Sequence, residues 1–230
     1  MKIVILTGAG VSAESGMGTF QDENGLWTQV NIEDVATPEA FARNPAKVHA
    51  LYNARRSNCL KAEPNAAHFA LAELQNSRHD VTLVTQNIDN LHERGGGTDV
   101  IHMHGELMKA LCASCGAVWP APEAMDKDDP CPSCGKPQTR PDIVWFGEIP
   151  YHMDRIERAL SECDLFVAIG TSGAVYPAAG FVQMADAFGA DTLELNLAPS
   201  DVQSAFAAHR YGPATEVVPQ WVADMLGDPD

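Results

Sequence analysis

Short apolar runs rich in β-branched residues recur at residues 3–6, 81–85, 165–169 and 192–197. Runs this short, bounded by turn residues, predict strands covered on both faces, as in a parallel sheet. Residues 143–145 and 216–218 are weaker strand candidates. Between the runs, residues 66–74 and 153–160 combine good helix formers with apolar positions at helical spacing, and residues 178–188 follow Pro177, which suits a helix start. Strands alternating with helices predict an α/β fold, a Rossmann-like parallel sheet with helices on both faces.

Two segments break that rhythm. Residues 30–74 contain a helical stretch, 45–58, with no strand beside it, and residues 107–140 contain two cysteine pairs and five prolines. The expected organisation is a large Rossmann-like domain from residues 1–29, 75–106 and 141–230. A helical insertion, 30–74, and a zinc-binding insertion, 107–140, would form a smaller domain beside it. A chain of 230 residues can bury a core large enough for this arrangement.

Charge and cysteine usage narrow the chemistry. The net charge of −16 argues against a nucleic-acid backbone or an anionic membrane surface as partner. It leaves solubility, or weak attraction for a cationic lysine-rich segment, as the role of the acidity. No run approaches the ~20 apolar residues of a membrane span. The apolar run after Lys2 is too short for a signal-peptide core, so a cytoplasmic location is expected. Nothing in the composition specifies an oligomeric state. Cys112-x2-Cys115 and Cys131-x2-Cys134, fifteen residues apart, have metal-ligand spacing. Four thiolates complete a tetrahedral zinc shell and leave no open position for water, so one structural Zn2+ is expected. Cys59 and Cys163 stand alone and read as packed thiols.

Gly8-Ala9-Gly10-Val11-Ser12-Ala13 directly follows the first predicted strand and has the G-x-G-x-x-A form of a dinucleotide loop. The glycines permit a tight turn and close backbone approach to a pyrophosphate, and the following helix aims its N–H groups at the anion. A dehydrogenase would place its second strand soon afterwards, ending in an acidic residue. Here a polar loop, residues 14–27, and the helical insertion intervene instead. Gly16, Gly18 and Gly25 give that loop hinges, and Phe20 and Trp27 are suited to covering a ligand.

The segment GAGVSAESGMGTFQDENGLW at residues 8–27 resembles the first signature of the sirtuin family. Gln86-Asn87-Ile88-Asp89 resembles the second, and His104-Gly105 follows as the sirtuin catalytic pair does. Gly170-Thr171-Ser172, Asn196 and the cysteine pairs continue the likeness in order, as far as about residue 222. The resemblance implies NAD-dependent removal of acyl groups from protein lysines, giving nicotinamide, acyl-ADP-ribose and free lysine. It assigns Gly8, Ala9, Gly10, Ser12, Ala13, Glu14, Phe20, Gln21, Trp27, Gln86, Asn87, Ile88, Asp89, Gly170, Thr171, Ser172, Asn196, Leu197 and Ala214 to the cofactor. His104 becomes the general base on a ribose hydroxyl, Asn87 is the second catalytic residue the resemblance implies, and His102 and His92 are rivals to His104.

Tyr52 and Arg55 lie three apart in a predicted helix and so share a face. They resemble the Tyr-x-x-Arg element of class III sirtuins, which implies acyl groups ending in a carboxylate, such as succinyl and malonyl, besides acetyl. Arginine grips a carboxylate through two parallel hydrogen bonds, and a tyrosine hydroxyl adds a third. Val144-Trp145-Phe146-Gly147-Glu148 resembles the family segment that holds acylated peptide by strand addition, with Val144, Phe146 and Gly147 as the contacts it implies. Gly18 and Gln21 stand where the family pattern has Pro and Arg, and a neutral Gln cannot supply the arginine's charge. The alternatives on the same fold are a protein ADP-ribosyltransferase and a weakly catalytic NAD-sensing module. A zinc-ribbon nucleic-acid binder is disfavoured by the charge.

Overall fold

The computed structural model describes residues 1–18 and 34–227. In chain order the strands are β1 (Lys2–Thr7), β2 (Asp80–Thr85), β3 (Ile101–His102), β4 (Gly105–Cys112), β5 (Val118–Pro120), β6 (Thr139–Ile143), β7 (Leu165–Ile169), β8 (Asp191–Asn196) and β9 (Ala208–Tyr211). The helices are α1 (Gly10–Ala13), α2 (Pro38–Arg43), α3 (Pro45–Lys61), α4 (Ala66–Gln75), α5 (Leu91–Arg94), α6 (Met153–Glu162), α7 (Phe181–Ala187) and α8 (Ala214–Gly227).

Six strands form a parallel sheet in the order β3-β2-β1-β7-β8-β9. Alternation within each strand divides the core in two. Ile3, Ile5, Leu83, Val167, Ile169 and Leu195 face Leu71 and Leu74 of α4 and Val218, Trp221 and Val222 of α8. Val4, Leu6, Val84, Phe166 and Ala168 face Ile156 and Leu160 of α6 and Phe181 and Val182 of α7. The sheet is therefore apolar on both sides, which is why its central strands read as unbroken apolar runs.

The strand order reverses between β1 and β7, and an α/β sheet opens a crevice at the carboxyl ends of the strands at such a point. The two turns there are in backbone contact. The Gly8 N–H donates to Ile169 O (2.9 Å) and the Gly10 N–H to Gly170 O (2.8 Å). A Cβ on Gly10 would lie 2.7 Å from Gly170 Cα, so this glycine is required by the meeting of two protein turns, whatever ligand lies beyond them. Gly10→Ala is expected to cost about 1–3 kcal/mol through overpacking. An unchanged urea midpoint would show that the turns separate freely.

A three-stranded antiparallel sheet, β5-β4-β6, forms a smaller body with α2 and α3. Its core contains Val48, Tyr52, Cys59, Leu107, Ile143 and Trp145. Asn44 caps α3 by accepting the Lys47 N–H (3.1 Å), and Thr37 caps α2 by accepting that of Ala40 (3.0 Å).

The structure corrects the sequence reading in places. Residues 216–218 belong to α8, where Val217 and Val218 share the core with Trp221 and Val222 at helical spacing. Ile143 ends an antiparallel strand of the small sheet, and residues 144–145 lie beyond it. Helix α4, expected within the small domain, packs its apolar side onto the large sheet. Residues 178–180 form a 3₁₀ turn ahead of α7. Leu197 lies past β8 and is exposed.

Candidate active site at the sheet reversal

A cavity of about 750 Å3 opens where the strand order reverses and extends to the small domain. That volume suits a cofactor site, for which ~300–1,000 Å3 is usual. Gly8, Ala9, Gly10, Ser12, Ala13 and Glu14 line it after β1, Gln86, Asn87, Ile88 and Asp89 after β2, and Gly170, Thr171 and Ser172 after β7. Asn196, Leu197 and Ala214 close one end. Tyr52, Arg55, Val144, Phe146 and Gly147 close the other, and His104 lies on the wall. Phe20, Gln21 and Trp27 lie outside the described residues.

The turn after β2 is held by hydrogen bonds that fix what it offers the cavity. The Asn87 side-chain amide donates to Gly8 O (3.0 Å) and to Ser12 Oγ (3.2 Å), so its carbonyl oxygen remains as an acceptor. Asp89 is buried, and burial raises its pKa against the Leu91 N–H and Ser12 hydrogen bonds that favour its charge. Gln86 donates to Thr171 Oγ1 (2.9 Å) and Asn196 to Thr171 O (2.8 Å), linking the turns after β2, β7 and β8. Glu14 takes both the Thr215 N–H (3.0 Å) and hydroxyl (2.7 Å), so this cavity-lining carboxylate caps the start of α8.

The three histidine candidates separate clearly. His92 is buried, bonded through Nε2 to Thr7 Oγ1 (2.9 Å), and burial holds its pKa well below the ordinary value. His102 uses both ring nitrogens, Nδ1 with Asn87 O (3.1 Å) and Nε2 with Glu93 Oε1 (2.7 Å). Burial opposes charge on His102, but Glu93 outweighs it and the pKa is raised. His104 donates from Nδ1 to Gln86 O (3.1 Å), which fixes the tautomer and leaves Nε2 as a basic lone pair. Burial lowers its pKa, so the ring is neutral near pH 7. Among the described residues it is the one histidine lining the cavity.

At the small-domain end, Tyr52 is buried and receives the Trp145 indole N–H (3.0 Å). Burial raises the Tyr52 pKa and lowers that of Arg55, the latter opposed by Tyr52 and Asp89. A guanidinium half withdrawn from water favours an anionic ligand.

The four paired cysteines converge away from this cavity, with all four Sγ atoms within 4.8 Å of one another. Cys112 and Cys134 Sγ lie 3.7 Å apart, and Cys115 and Cys131 Sγ 3.8 Å. A zinc ion with Zn–S of ~2.3 Å sets tetrahedral sulfurs about 3.8 Å apart, so this cluster has the spacing of a structural zinc site. Gly116 and Gly135, at φ +74° and +73°, return their N–H groups to Cys112 O and Cys131 O and make the two knuckles equivalent.

Residues 8–177 match the sequence model of the Sir2 family. The chain belongs to the Sir2 family. It is 55% identical over 231 residues to the NAD-dependent protein deacylase of Caulobacter vibrioides, covering 98% of this chain and 97% of that one. It is 53% identical to the NAD-dependent protein deacylase of Pasteurella multocida, with 98% of each chain covered. A solved Sir2 homologue–NAD complex superposes with a TM-score of 0.90 at 38% identity, covering 96% of this chain and 88% of that one. Trp145 and Glu148 of the peptide-holding segment also line this Sir2-family cavity, as do residues that sequence reasoning missed: Tyr176, residues 198–201, Gly212 and Pro213. Gly212-Pro213 ahead of α8 was the available signal, since such a pair marks a turn into a helix.

Proposed function

We propose that the chain is an NAD-dependent protein-lysine deacylase that acts on acyl groups ending in a carboxylate, succinyl and malonyl, as well as acetyl. The products are nicotinamide, acyl-ADP-ribose and free lysine. The observation that carries this reading is the placement of His104, with its free Nε2, on the same cavity as the β1, β2 and β7 turns and the Tyr52–Arg55 pair.

The donor set suits NAD. Gly8, Ala9, Gly10, Ser12, Ala13, Glu14, Gly170, Thr171, Ser172, Asn196, Leu197 and Ala214 would hold its ADP-ribose part. The Asn87 carbonyl oxygen and Asp89 would hold the carboxamide, beside Gln86 and Ile88. NAD supplies a ribose carbon bearing a good leaving group and the neighbouring hydroxyls. His104 Nε2 takes a ribose hydroxyl proton, and the Nδ1 bond to Gln86 O steadies the imidazolium that results. Val144, Phe146 and Gly147 would receive the peptide main chain. The cysteine cluster holds Zn2+ and stabilises the small domain, which carries Tyr52 and Arg55. Thiolate ligands of this kind persist in a reducing compartment, which supports a cytoplasmic location. Among the described residues no helix is long and apolar enough to cross a membrane.

Arg55→Met tests the acyl assignment. The ratio of kcat/KM on succinyl-lysine to that on acetyl-lysine peptide is expected to fall at least ~10-fold, the size of one charge-assisted hydrogen bond. An unchanged ratio would remove Arg55 from acyl recognition.

A further inference from the structure

We propose that Trp145 determines acyl specificity indirectly, its indole N–H fixing the Tyr52 hydroxyl as a donor to the terminal carboxylate of the acyl group. The inference rests on the assignment of Tyr52 and Arg55 to that carboxylate. Both rings are 2% exposed, and the Trp145 Nε1–H donates to the Tyr52 oxygen at 3.0 Å. An indole N–H only donates, so here the phenol oxygen is the acceptor. The Tyr52 proton must then point elsewhere, and Tyr52 lines the same cavity as Arg55. Burial keeps Tyr52 protonated at working pH, so the proton is there to be given.

Trp145 is itself held from several directions. Arg140 lies over its ring, 3.5 Å from the centroid. Arg140 is pinned by two bonds to Glu148 (2.7 and 2.8 Å) and one to Ile143 O (2.7 Å). Glu148 also takes the Trp145 backbone N–H (2.8 Å). An immobile indole gives the phenol one preferred rotor. A freely turning phenol would lose part of its bond to the carboxylate in fixing that rotor on binding.

Trp145 is thus a positioning residue, and its effect should appear as a difference between acyl groups. Trp145→Phe keeps an aromatic ring and removes the N–H. Replacement by β-(3-benzothienyl)alanine keeps the bicyclic shape and also removes it, which guards against a folding defect in the Phe variant. Each is expected to lower the succinyl-to-acetyl kcat/KM ratio about 5-fold, the scale of one hydrogen bond. In a Tyr52→Phe background the same replacements should leave the ratio within about 2-fold, since no hydroxyl remains to orient. Equal slowing on both peptides, or the same ratio change with and without the Tyr52 hydroxyl, would overturn the inference and leave Trp145 a packing residue. If Tyr52→Phe and Arg55→Met lower the ratio while the Trp145 replacements do not, this inference alone fails. If Tyr52→Phe and Arg55→Met leave it unchanged, the acyl assignment fails and takes this inference with it.

Discussion

His104→Ala is expected to lower kcat/KM for deacylation by about 10²–10⁴-fold, the usual contribution of a positioned general base. The loss should fall on kcat, with NAD affinity and thermal stability little changed. The side chain is half-buried and makes one hydrogen bond, to Gln86 O, so its removal leaves little unsatisfied. The pH profile gives an independent check. A base works in its neutral form, and burial lowers the His104 pKa from the ordinary 6.5. The acid limb of kcat/KM should therefore lie below pH 6.5, with activity lost as pH falls through the lowered value. A limb above the ordinary histidine value would instead point to a group like His102, whose pKa Glu93 raises.

Losing zinc should be nearly as severe. Cys112→Ser with Cys131→Ser removes one thiolate from each knuckle, and a structural Zn2+ contributes ~10 kcal/mol or more in isolated zinc peptides. The small sheet here also packs on α3 through Leu107 and Ile143, so part of that body persists without metal. A net loss of only ~4 kcal/mol would lower Tm by about 8 °C or more in a chain of this size. The wild type should carry one zinc per chain by elemental analysis and the double variant none. The variant's acyl discrimination should also fade, because Arg56 Nε on α3 bonds Leu107 O (2.9 Å) and Asn53 holds Met125 at both N–H and C=O (2.9 and 2.8 Å). Those bonds tie the zinc insertion to the helix that carries Tyr52 and Arg55. Equal Tm and activity with and without metal would contradict the structural assignment.

The central sheet was legible because β1, β2, β7 and β8 are covered on both faces, leaving apolar runs that only burial explains. Strand β9 was missed because it is an exposed edge whose sequence, Ala-His-Arg-Tyr, carries no apolar pattern. Strand β4 was missed because its pairing with β6 shifts between Glu106 and Ala110, which blurs the alternation. Val217 and Val218 resembled a strand over three residues, and their helical spacing shows only when Trp221 and Val222 are counted. Much of the site was readable because each strand delivers its motif in the few residues after its carboxyl end, so contiguous sequence becomes contiguous wall. Local sequence places Trp145 at the end of a weak strand and within the peptide-holding segment, but its bond to Tyr52 spans 93 residues that no local pattern connects.

The most direct test of the shared cavity is product analysis after incubation with NAD and succinyl-lysine peptide. The expected result is equimolar nicotinamide, succinyl-ADP-ribose and unmodified lysine peptide by mass spectrometry. Nicotinamide release with ADP-ribose left on protein, or NAD binding with no nicotinamide released, would contradict it.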